Sequence, residues 1–305
     1  MAGRGRPGHN RGLRWVAAVV AVLVACAGLW AIPATRDLLS RVAVGVRPGV
    51  RLAGQPLGGM YRGEVHALLE GLQKSTYRPP VNAGVNQKTG KITPDRGGLI
   101  LDVPATLQRV MDAGIRARVQ PVYVPVAPRW TVQDILAMTH VAGRYTTYGY
   151  GGSGRWHNLA LALRHINNIL LYPGQTFSFM DAMPPFTKGN GWQDAPVIVD
   201  GDMQTGLGGG VCQVSSTLYN AARRAGMKIL ERHHHAKAVP YVPPGCDATV
   251  AEHPLLDLRF QNALDRPVLI RAWLAGGAVR TVIYSLPPNS PAAVGQAGIP
   301  AAQAG

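Results

Sequence analysis

The sequence predicts an α+β protein in three parts. These are a single N-terminal transmembrane anchor over residues 15–32, a small α+β domain over 43–130, and a mixed α/β domain over 155–285 with a cysteine at a helix N-terminus. Three observations predict it. One uncharged apolar run follows an arginine cluster. Beyond it, short apolar segments repeat with either strand or helix spacing, punctuated by 37 Gly and 24 Pro. Finally, a glycine run at 206–210 leads directly into a helical pattern that begins near Cys212.

Arg4, Arg6, Arg11 and Arg14 precede the run from Trp15 to Ile32. That length is near the lower limit for a spanning helix, and the basic cluster predicts its N-terminal end inside. Two other readings compete with this signal anchor. One is a cleaved signal; the other is a lipoprotein anchored at Cys26, because Leu23-Val24-Ala25-Cys26 resembles a lipobox. All three expect the rest of the chain outside the cytoplasm, at the plasma membrane.

In the first domain Val44, Val46, Val50 and Leu52 alternate as in a strand. Val65, Leu68, Leu69 and Leu72 put one apolar face on a helix over 64–72. Strands are expected at 91–94 and 99–101, a helix at 106–118, and a further strand through Val122, Val124 and Val126. Residues 131–154 read as a linker with a glycine-rich end. In the second domain Leu159, Leu163, Ile166 and Leu170 stripe a helix over 157–170, and Phe177 and Phe179 alternate as in a buried strand. A hairpin is expected around 196–202, and strands at 227–235, 256–260, 268–273 and 279–284. The Pro/Ala/Gly/Gln-rich tail, 286–305, is expected to be disordered.

A net charge of +15 first suggests nucleic acid. The basic residues are scattered rather than striped, and no nucleic-acid-binding motif is present, so no nucleic-acid partner is expected. Outside a membrane such charge is drawn to anionic lipid and acidic polymers. Three cysteines do not make a disulfide scaffold.

The segment Gly206-Leu207-Gly208-Gly209-Gly210-Val211-Cys212-Gln213 carries the candidate chemistry. A helix N-terminus stabilises a thiolate and lowers its pKa. Backbone N–H groups around Gly209, Gly210, Val211 and Gln213, with the Gln213 side chain, could line an oxyanion hole. A strand after the helix would point His233 and His235 to one face and His234 to the other, bringing a base near Cys212, with Asp247 to orient it. Ser215, Tyr219 and Thr249 are candidate substrate contacts. A packed, inert Cys212, a Cys212–Cys246 disulfide, and a zinc site of Cys212, His233, His235 and Cys246 are the competing readings. No metal or cofactor is required by the nucleophile reading.

From about Arg155 to Arg271 the chain resembles the VanW family. The resemblance rests on Tyr172-Pro173-Gly174-Gln175-Thr176-Phe177-Ser178-Phe179, Ala195-Pro196-Val197-Ile198-Val199, Gly208 through Asn220, Glu231-Arg232-His233-His234-His235 and Tyr241 through Val250. Met180, His234 and Cys246 stand where that family usually has Asn, Pro and Arg. Residues 43–130 resemble, more weakly, the peptidoglycan-binding region that often precedes VanW domains. The resemblance implies a bacterial cell-wall role, with a link to vancomycin resistance and to L,D-transpeptidase chemistry on peptidoglycan stem peptides. Two functions are therefore expected to compete: a cysteine-dependent acyl transferase, and a non-catalytic peptidoglycan- or glycopeptide-binding module.

Overall fold

The structure is a computed structural model that describes residues 33–199 and 202–290, with five isolated positions before residue 33. Most of the run expected to form the anchor therefore lies outside the described residues, as do residues 291–305. Among the described residues no helix is long and apolar enough to cross a membrane, so the transmembrane anchor of the expected fold class is not supported. The first continuous helix, α1 (Pro33–Val44), has 12 residues and buries none of them. Its last turn occupies the start of the strand expected from Val44 onward.

The chain divides into two compact units. The first holds residues up to Pro80 together with Gly97–Ala127. After α1 come the short strands β1 (Arg51–Leu52) and β2 (Gln55–Pro56) and the helix α2 (Arg62–Thr76). The chain then leaves this unit for β3 (Gly84–Val85) and β4 (Ile92–Thr93), which belong to the second. It returns with β5 (Gly98–Leu101), α3 (Val103–Asp112), β6 (Arg118–Val119) and β7 (Tyr123–Val126). β1 pairs with β2 antiparallel and with β6 parallel, and β5 pairs with β7. α3 starts at Asp102, whose carboxylate accepts the Ala105 N–H at 2.8 Å, and ends well before Arg118. Val65 and Leu69 of α2 meet Val103, Leu107 and Val110 of α3 in the core.

The second unit begins with that inserted hairpin and resumes at Pro128. The hairpin is fastened within the unit: Ala83 N–H donates to the Trp130 carbonyl, and Trp130 N–H donates to Asn82. So a single domain over 43–130 is not what forms, because residues 81–96 find their core partners in Trp130, Ile135 and Leu286. Nor is 131–154 a linker. It contains α4 (Val132–Leu136), closed by a Thr131/Asp134 capping box, and β8 (His140–Tyr148), an edge of the main sheet. The tail begins later than expected, since Leu286 is fully buried.

Next come α5 (Ser153–Ile166), β9 (Ile169–Leu171), β10 (Thr176–Ser178) and the single turn α6 (Phe179–Ala182). The hairpin β11 (Asp194–Val199) and β12 (Asp202–Leu207) leads to α7 (Val211–Arg224). β13 (Lys228–Glu231), β14 (Arg259–Gln261), β15 (Val268–Ala275) and β16 (Ala278–Ser285) complete the unit. The main antiparallel sheet has the order β8-β16-β15-β9, and a smaller one the order β10-β14-β13.

α7 packs across β8 and β16, and α5 lies against β15. α7 is buried nearly all round, although its sequence is rich in hydroxyls and amides. Each of these groups therefore needs a partner. Thr217 meets Thr147 of β8 at 2.8 Å, and Thr281 of β16 donates to the Thr217 carbonyl at 3.0 Å. The approach is so close that a β-carbon on Gly143 would collide with the Ala221 carbonyl and lie 2.6 Å from the Ala225 nitrogen. Gly143→Ala is expected to lower unfolding stability by about 1–3 kcal/mol in a denaturant titration. In contrast, Gly71→Ala, mid-helix in α2 with nothing within 4 Å of the new methyl, should raise it by roughly 0.5–1 kcal/mol.

Candidate active site

The glycine loop sets the position of α7. Gly208 and Gly210 have φ of +79° and +109°, a region open to glycine at little cost. Gly209 has no room for a side chain: a β-carbon would lie 2.5 Å from the Pro196 carbonyl oxygen and 2.8 Å from Ala195. Asn158 of α5 holds this loop against the hairpin. It donates to the Gly209 and Gln193 carbonyls and accepts the Gln193 N–H. The helix then opens at Val211, which makes Cys212 its second residue.

Around the thiol, three elements converge. Cys212 is half-buried, donates to the Val250 carbonyl at 3.4 Å and lies 3.6 Å from the Thr249 hydroxyl. The nearby His235 ring is the group that most lowers its pKa. His235 gives its Nδ1 to Asp247 at 2.8 Å, and its backbone N–H donates to the same oxygen at 2.7 Å. The His235 side chain is 6% exposed and that of Asp247 10%. Cysteine, imidazole and carboxylate thus stand in a row, with the ring nitrogen not used by Asp247 left for sulfur.

Burial alone would raise the thiol pKa. The His235 ring and its charge overcome that, with further help from Thr249, and hold Cys212 below the ordinary thiol value. Burial likewise opposes the imidazolium, but Cys212 and then Asp247 raise the His235 pKa above its ordinary value. Asp247, despite its burial, is held well below the usual carboxylate range by the backbone N–H of His235 and the rings of His235 and His234. The arrangement shifts the pair toward thiolate and imidazolium. Tyr241 stands edge-on to His235, with ring centroids 6.4 Å apart. Burial and then the Cys212 charge push its phenol far above the normal range, so it stays protonated.

The segment carrying Asp247 is clamped to α7. Ser215 donates to the Ala248 carbonyl at 2.5 Å, Ser216 accepts the Ala248 N–H at 2.8 Å, and Asn220 donates to the Cys246 carbonyl at 2.6 Å. Arg232 adds bonds to Gly245 and to Asp247 while its guanidinium lies 4.5 Å over the Tyr219 ring.

Several expected roles therefore change. His233 faces Glu231, at 2.9 Å, rather than the thiol, and the regular strand ends at Glu231, before the histidines. The Gln213 side chain cannot donate to a substrate. Its oxygen accepts from Arg155 and its amide donates to the Thr147 hydroxyl and the Tyr148 carbonyl. The Val211 and Gln213 amides are spent on the Gly208 and Gly210 carbonyls, which leaves the Cys212 amide with no carbonyl acceptor among the described residues. The Ser215 hydroxyl is spent on the Ala248 carbonyl and the Tyr219 ring lies under the Arg232 guanidinium, so both act in packing rather than substrate contact. Thr249 stays beside the thiol. Cys212 and Cys246 are both free, which removes the disulfide reading, and no metal-binding cluster occurs among the described residues. Sequence reasoning missed Arg155, Asn158 and Tyr241. The first two stand three apart on α5, a spacing that could have marked a common polar face.

The pH dependence of alkylation follows from these charges. Iodoacetamide should label Cys212 in the folded protein with a midpoint below that of a free thiol. His235→Ala leaves burial as the main influence, so the midpoint should move upward; an unmoved midpoint would show that His235 does not activate the sulfur.

The family model described as "VanW like protein" matches residues 154–284, within the second unit. That match does not reach the first unit and so gives no support to its peptidoglycan-binding resemblance. Uncharacterized protein YoaR of Bacillus subtilis (strain 168) is 38% identical over 219 residues, 70% of this chain and 72% of that protein. Vancomycin B-type resistance protein VanW of Enterococcus faecalis (strain ATCC 700802 / V583) is 33% identical over 113 residues, 35% of this chain and 41% of that protein. No solved structure matches the chain. With the family match spanning all three residues of the row, and YoaR alike over more than two thirds of both chains, the protein belongs to the VanW family.

Proposed function

We propose that this protein is a cysteine-dependent acyl transferase of the bacterial cell envelope that acts on peptidoglycan stem peptides in the manner of an L,D-transpeptidase. The observation that carries this reading is the grouping of Cys212, at the start of a buried helix, with a His235 that is hydrogen-bonded to Asp247 and lowers the thiol pKa. A relative named as a vancomycin resistance protein supports an envelope role, and a net charge of +15 suits a partner that is an acidic wall polymer.

The Cys212 thiolate attacks the carbonyl of the third stem residue. The C–N bond to the terminal D-Ala breaks, and its nitrogen takes a proton from the His235 imidazolium. The Cys212 amide, at the positive end of α7, faces the developing oxyanion. A side-chain amine from a neighbouring stem then attacks the thioester. It loses a proton to His235 as the C–S bond breaks, which restores thiolate and imidazolium. Asp247 keeps the His235 ring oriented and its Nδ1 protonated. Water in place of the amine gives a tripeptide, the product of a carboxypeptidase.

The purified protein, incubated with disaccharide-tetrapeptide, should yield cross-linked dimers lacking one D-Ala by mass spectrometry. Cys212→Ala should abolish them. Asp247→Asn should cut kcat by about 10²–10⁴-fold, and His233→Gln should leave it within a few-fold. Absence of any product, with Cys212 alkylating only after unfolding, would instead favour the non-catalytic peptidoglycan-binding module.

A further inference from the structure

Arg155 sits in the first turn of α5 and is 6% exposed. Its side chain spans the residues that flank the thiol. A β-carbon on Gly210 would lie 3.2 Å from Arg155 Cγ, and Nη2 donates to Gln213 Oε1 at 2.8 Å. The exposed ring of Tyr150 covers the guanidinium at 4.7 Å. Nε is buried with no hydrogen-bond partner, and among the described residues no carboxylate pairs with Arg155. The carboxylate nearest the thiol, Asp247, is already engaged by Arg232, His234 and His235.

A buried guanidinium without a counter-ion is costly, and a neutral amide oxygen does not neutralise it. Its position next to the N-terminus of α7 adds a second source of positive potential. The site is thus built for an anion that arrives from outside, and guanidinium geometry suits a carboxylate.

We infer that Arg155 binds the terminal carboxylate of the donor peptide, so that the substrate must end one residue beyond the bond that Cys212 attacks. This rests on the acyl-transfer reading above and adds a specificity to it. A free α-carboxylate on the leaving D-Ala would satisfy the guanidinium, whereas a longer stem or an amidated end would leave it unpaired. Tyr150 would close over the pair from the solvent side.

The test compares a stem tetrapeptide ending in D-Ala with its C-terminal carboxamide, first by calorimetry on the full-length Cys212→Ala protein. The carboxylate should bind about 10–100-fold more tightly. Equal affinities, or no binding of either peptide, would overturn the assignment. Arg155→Met should erase the preference and Arg155→Lys should keep part of it. A preference that survives in folded Arg155→Met would also overturn it. Turnover by the wild type separates the two proposals. Equal product from both peptides sinks the carboxylate site and leaves the nucleophile standing. Preferential binding of the acid without product does the reverse.

Discussion

The site depends on the clamp between the polar face of α7 and the segment 246–250. Ser215, Ser216 and Asn220 are buried, and their hydrogen bonds go to the backbone of Cys246 and Ala248. Each such bond contributes only about 0.5–1.5 kcal/mol net, yet leaving one buried partner unpaired costs about 1–3 kcal/mol. The segment can therefore dock in one register and no other. That register puts Thr249 and Val250 against the sulfur and Asp247 behind His235. A wholly apolar helix face would have packed as well but would have fixed nothing so specifically.

The electrostatics follow from the same docking. Burial by itself raises a thiol and lowers an imidazole, which would leave both groups neutral. Here the two groups are held against each other, and a strongly ionised carboxylate backs the ring, so the pair is driven toward charge separation. Arg232, its guanidinium over the Tyr219 ring, donates to Asp247 from behind. Arg155, on the other side of the helix start, has no such carboxylate, and that asymmetry distinguishes a group engaged within the fold from one waiting for a ligand.

The glycine loop owes its composition to space as much as to conformation. Gly208 and Gly210 adopt left-handed backbone, whereas Gly209 is confined by Pro196 and Ala195. Together they let the hairpin β11–β12 pass directly over the start of α7, and Asn158 ties the crossing to α5. The N-terminus of the helix is thereby held by the hairpin on one side and by α5 on the other, which fixes where the Cys212 amide and sulfur can point.

Sequence alone determined the existence of the striped helices, the hairpin before the glycine run, the closing strands, and Cys212 at a helix start, because each is a local pattern with its own period or breaker, although the stripe expected to run to Leu170 stops at Ile166 and Leu170 joins β9. It did not determine that residues 81–96 join the second unit, since Ala83 finds Trp130 only through tertiary contact. Residue type and spacing also left the histidines open, because a period-2 argument puts His233 and His235 on one face. Tertiary structure separated them: His233 pairs with Glu231, whereas His235 is held beside the thiol by two bonds to Asp247. Gln213 and Ser215 carry polar groups suited to substrate, and only packing decided that the interior uses them instead. Whether a polar group meets a ligand or a neighbour depends on burial, which the order of residues does not encode locally.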